Sequence, residues 1–140
     1  MTTRTGSAII TRALKLLRAV GVDDTVSSTE LSDGLLVLQE MLLSWANEPY
    51  MADSTYTLPT YADTSTPVTV HDALVEALPY NLALRLAPDY GKEAGASVVG
   101  RAMASKMNWK RLIYEASPAY LENPTGYMDR TQGWYDITAG

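Results

Sequence analysis

At 140 residues and 46% apolar side chains, the chain suits one domain with a usable core, which excludes global disorder. With no cysteine and one histidine, His71, it excludes disulfides, thiolate metal sites and multi-histidine zinc sites. The net charge of −5 is unevenly placed: no lysine or arginine lies between Arg18 and Arg85, while ten acids fall from Asp23 to Glu76. An acidic surface of that kind disfavours a nucleic-acid grip.

The opening MTTRTGSAII lacks the apolar core of a signal peptide, and no apolar run is long enough to span a membrane. The expectation is a soluble protein made in a cytoplasm, with no membrane partner. Residues 6–20 carry Ile9, Ala13, Leu16 and Val20 at helical spacing, widened by Ile10, Leu14 and Leu17. Gly21 is the expected helix stop. A second helix opens on Ser27-Ser-Thr-Glu30, a capping-box pattern, and its stripe is Leu31, Leu35, Leu38, Leu42 and Trp45.

Periodicity stops at Glu48. The run to His71, rich in Thr, Pro, Tyr and Asp, predicts a long loop with one short β-hairpin. Its length marks it as more than a connector. A third helix starts near Asp72, with His71 in a capping role. Pro79 falls inside it, where a proline costs roughly 3 kcal/mol, so a kink or break is expected between Leu78 and Asn81. Pro88 biases Ala87 away from helical geometry, and Gly91 turns the chain.

The fourth helix, residues 92–116, places Val98, Ala102, Ser105, Trp109, Leu112 and Ala116 on one face, with Val99, Met103 and Ile113 beside it. Its first half is crowded with alanine and glycine, so it relies on packing rather than on propensity. Residues 117–140 have no helical period, yet carry Tyr120, Tyr127, Trp134, Tyr135 and Ile137. A disordered end is normally poor in aromatics. This segment therefore reads as one that docks, on its own domain or, the preferred reading, on another polypeptide, and the alternation around Tyr135 and Ile137 suits strand addition to a sheet edge. The sequence thus predicts an all-α protein: a bundle of four helices over residues 1–116, with a 48–71 excursion and an extended tail, 117–140. Nine tyrosines, three tryptophans and no phenylalanine suit surfaces that are wet before a partner buries them.

Catalytic patterns are missing from the sequence: no phosphate loop, serine triad, HExxH or calcium loop is present. No catalytic residue, metal or cofactor is expected. Two alternatives stay open. Glu40 with Glu48, or Asp23 with Asp24, are nominal acid pairs for a peptidoglycan glycosidase, though sixteen acids make such pairs easy to find. Arg101, Lys106, Lys110 and Arg111, interleaved with Trp109, are the candidates for nucleic-acid binding, against an acidic pI of about 4.7. A solvated face, or pairing with an acidic neighbouring subunit, is the preferred reading of these bases.

The order of parts carries a resemblance. A short basic helix precedes SSTELSDGLLVLQEMLLSW, residues 27–45; then come a Thr/Pro/Tyr excursion, ALPYNLALRLAPDYG, a helix through NWKRL, and a tail closing on YDITAG. This resembles the head-to-tail adaptor family of tailed bacteriophages, most closely the tail accessory factor (packaged-DNA stabilisation protein) of short-tailed phages. The resemblance implies a structural, non-enzymatic protomer, made in the bacterial host. Twelve copies would form a ring in the virion neck, between portal and tail. The ring would continue the DNA channel, help retain packaged double-stranded DNA without binding it specifically, and meet a downstream tail protein. The tail would grip the portal, with Trp134, Tyr135 and Ile137 foremost.

Overall fold

Helix formation follows the apolar periods, and each helix is stopped by a specific backbone device. The computed structural model describes residues 1–52 and 54–116. Helix α1, Gly6–Leu16, is capped by Thr5, whose hydroxyl accepts from the Ala8 amide at 3.2 Å. Helix α2, Ser28–Ala46, is capped by Ser27, whose hydroxyl accepts from the Glu30 amide. Helix α3 is Asp72–Leu86 and α4 is Ala96–Glu115. Strand β1, Thr2–Arg4, and strand β2, Val68–Val70, form one antiparallel pair in the register Thr2↔Val70, Thr3↔Thr69, Arg4↔Val68. The protein is a small helical bundle, and that pair is its sheet among the described residues.

Several expectations are corrected in detail. The strand at the end of the excursion pairs with the N-terminus, not with a hairpin partner inside residues 48–71. The excursion instead opens with a 3-10 turn, Pro49–Met51. Helix α1 stops at Leu16, ahead of Gly21. Arg18 takes the left-handed conformation at φ 57°, its amide bonding the Lys15 carbonyl while the Ala19 amide bonds that of Leu14. That is a Schellman ending built on arginine where glycine is the usual choice.

Helix α3 corrects one of the two outcomes expected at Pro79, the break. It runs unbroken through Pro79, which is buried. The proline removes the amide that would bond the Val75 carbonyl. Packing offsets this: Leu74, Ala77, Leu78, Leu82, Ala83 and Leu86 are all buried along the same helix. Two residues beyond the proline, the Asn81 amide group donates to the carbonyls of Ala77 (2.8 Å) and Ala102 (3.0 Å), tying α3 to α4. Ala87 keeps helical angles, φ −51° and ψ −48°, in spite of the following Pro88. The true reversal comes at Gly91, φ 61°, where the Lys92 amide reaches the Ala87 carbonyl at 2.9 Å. Helix α4 then begins at Ala96, four residues later than its period suggested.

Helix α3 is the hub. α4 packs along it, and α1 and α2 pack on it and on each other. One core results, with Trp45, Tyr61, Trp109, Ile10, Leu38 and Leu74 among its fully buried members. Helices α1 and α2 meet tightly at Gly34, where an added Cβ would lie 2.5 Å from Ile10 Cγ2. The excursion is fastened by Tyr61: its hydroxyl donates to the Arg4 carbonyl, and its own carbonyl accepts from Gln39 at 2.7 Å.

Candidate functional site

The docking residues expected from sequence, Tyr120, Tyr127, Trp134, Tyr135 and Ile137, lie outside the described residues, as does the whole 117–140 segment. What the described residues do show is how the chain disposes of its charges, and which it leaves facing outward.

The bases of α4 are used internally. Lys106 Nζ lies 2.6 Å from Glu48 Oε1, and Lys110 Nζ lies 3.7 Å from Glu48 Oε2. The same two ammonium groups sit over aromatic rings, Lys106 at 5.0 Å from the Trp45 centroid and Lys110 at 5.1 Å from that of Tyr50. One carboxylate thus joins the end of α2 to the middle of α4. Burial pushes the Glu48 carboxyl up, but the hydrogen bond and charge of Lys106, with Lys110 behind them, hold it below its ordinary range. Burial first, and the Glu48 charge second, push the Tyr50 hydroxyl well above its usual range. Arg101 pairs with Glu76 at 3.2 Å and Arg111 with Glu115 at 3.8 Å. The acid partners these bases have among the described residues come from the same chain, while Arg101 and Arg111 stay largely exposed, as a solvated face would be.

This arrangement also bears on the enzymatic alternative. A glycosidase needs a carboxyl that holds its proton near neutral pH, and Glu48 is stabilised in the opposite state. Glu40 is exposed on α2. Asp24 accepts from the Gly21 amide at 3.1 Å, a turn-forming bond. His71 caps α3, with Nδ1 accepting from the Ala73 amide, so its proton resides on Nε2. Its ring meets Tyr56 edge-on and Trp109 at a tilt, at centroid distances of 5.1 and 5.6 Å. Among the described residues no group of acids and histidine is gathered as a metal site.

Two outward features remain. On α2, Asp33, Leu36, Glu40 and Leu43 recur at i, i+3, i+7 and i+10, and all are exposed, Leu36 at 60% and Leu43 at 65%. Neither acid has an ion-pair partner among the described residues. Tyr90 reports the field there: burial first, then the charges of Glu30, Asp33 and Asp89, push its hydroxyl up. On the side of α1 facing α3, a cleft of about 420 Å³ is lined by Arg4, Arg12 and Arg101, with one acid, Glu76, over Val75, Pro79 and Tyr80. Pro79 thus forms part of a recessed wall. Elsewhere the outer face of α4 exposes Met103, Met107 and Tyr114, so Met103 does not join the core as its period suggested. A larger apolar cleft of about 590 Å³ lies between α2 and the excursion, edged by Leu43, Met51, Tyr56 and Leu58.

The arginine cleft and the Glu48 bridge were missed in the sequence, since their members are scattered over four elements. Only the charge gap from Arg18 to Arg85 hinted that acids and bases would meet by folding. Compared with known proteins, residues 1–126 match the family model described as P22 tail accessory factor. No curated protein matches the chain.

Proposed function

We propose an assembly role from one premise: the chain belongs to the P22 tail accessory factor family. It is accordingly a structural, tail-associated protein of a bacteriophage, carried in the virion. On our reading, several copies form a ring below the portal, twelve in the arrangement the resemblance implies. The ring prolongs the DNA channel, attaches the tail and helps keep the packaged DNA inside. Residues 1–116 are the body of each protomer, and 117–140 are the segment that docks on the portal through Tyr120, Tyr127, Trp134, Tyr135 and Ile137.

The family match over nearly the whole chain carries this reading. Charge supports it: twelve copies at −5 each total about −60, and a like-charged wall lets DNA slide past without sticking. The internal use of Lys106 and Lys110 also removes two of the bases a DNA grip would need. Deleting residues 133–140 is the direct test. The truncated protein should keep its helical circular-dichroism signal and thermal transition but fail to co-sediment with the portal. Undiminished portal binding would overturn the docking role.

A further inference from the structure

Among the described residues, the acidic ridge of α2 and the arginine cleft between α1 and α3 both keep charges without an ion-pair partner. They face different ways. Gly34 of α2 is pressed on Ile10 of α1, while Leu36 and Leu43 lie roughly half a helical turn round from it. The ridge therefore points away from α1, whose far side carries Arg12 and the cleft. Within one chain the two cannot meet.

Their chemistry is matched. The ridge offers Asp33 and Glu40 alternating with two exposed leucines. The cleft offers Arg4 and Arg12, which have no ion-pair partner among the described residues, and Arg101, whose single partner is Glu76. Its floor of Val75, Pro79 and Tyr80 would receive aliphatic side chains. A phosphate backbone would instead prefer protruding cations with no apolar floor.

We propose that the α2 ridge of one copy seats in the α1–α3 arginine cleft of the next, making this pair of surfaces the lateral contact between neighbouring subunits. The inference rests on the ring reading above and adds which surfaces close the ring. Because the two patches lie on opposite sides of a protomer, pairing them is head-to-tail. Such a contact repeats around a ring when the rotation closes, and a two-fold dimer could not satisfy both patches. Charge segregation along the sequence acquires a physical role here: acids and arginines kept apart in one chain meet across the boundary between two.

The test uses the full-length chain, mixed with the portal protein of its own virus, and counts copies per portal by native mass spectrometry. Three variants are compared with the parent: D33R/E40R, R4E/R12E, and the four substitutions combined. All these positions are exposed, and circular dichroism checks that each variant folds. Each double variant should need at least about tenfold more protein to fill the ring, since like charges then face each other. The combined variant, with the charges exchanged across the contact, should recover filling. Unchanged filling by the double variants, or no recovery in the combined one, would overturn the proposal. So would Arg4- and Arg12-dependent retention of duplex DNA alongside normal filling, which would assign the cleft to DNA. If the parent chain itself assembles in no ring, alone or on the portal, the ring reading fails instead.

Discussion

Helices α2 and α4 are the two longest in the molecule, and they treat the same two features in opposite ways. Each has a glycine inside it. Gly34 of α2 sits where a Cβ would collide with Ile10, whereas Gly100 of α4 has nothing within 4 Å of its missing Cβ. Each also bears charge of a single dominant sign: three acids and no base on α2, four bases and one acid on α4. The bases of α4 are paired within the chain, to Glu48, Glu76 and Glu115, while Asp33 and Glu40 of α2 have no ion-pair partner among the described residues. Composition alone does not say which charges a partner can use. What packs opposite each helix decides that.

The contrast can be broken most forcefully at the anchor of α4. Trp109 is fully buried between α3, His71 and Tyr56. Trp109→Ala should cost about 3–5 kcal/mol in urea unfolding. A loss below about 1 kcal/mol would mean that α4 is held chiefly by its ion pairs.

Gly34→Ala should destabilise by about 1–3 kcal/mol, because Ile10 is locked in the core and cannot yield. This holds even though alanine favours a helix by about 1 kcal/mol over glycine. A stabilised variant would show that α1 and α2 can part freely, removing the difference between the two glycines.

Glu48→Gln should lower stability at neutral pH by about 1–2 kcal/mol, as two lysines lose a half-buried partner. The sign with pH is fixed by the lowered carboxyl. Its contribution is fully present above the ordinary value of 4.5 and fades as pH falls through the lower folded-state value. Chemical denaturation of parent and variant should therefore converge in acid. A gap that persists unchanged at low pH would show that charge at Glu48 is not what joins α2 to α4. The smallest expected effect is Gly100→Ala, a gain of up to about 1 kcal/mol on an open helix surface, read as a higher melting temperature.

Much of the architecture was legible because it rests on local periods. The stripe from Leu31 to Trp45, the Ser27 cap and the role of His71 all follow from residues within a few positions of one another. The errors have a common cause. Strand β2 was visible as β-forming residues, but its partner, Thr2–Arg4, lies more than sixty positions away. Pro79 argued on local grounds for a kink or a break, and the break is absent: the helix continues through it with six apolar side chains buried along its length. Arg18 took a conformation that propensity reserves for glycine, because the turn after α1 is set by backbone bonds to Leu14 and Lys15. The surfaces were less legible still: the arginine cleft unites Arg4, Arg12 and Arg101 from three elements, and no spacing rule connects them.

The assembly role is tested most directly by the mass of the full-length chain, alone and mixed with its portal. The expected result is a complex in which one portal carries a fixed, full complement of copies, absent when residues 133–140 are removed. A chain that stays separate from the portal at every protein ratio, with its mass unchanged, would contradict it.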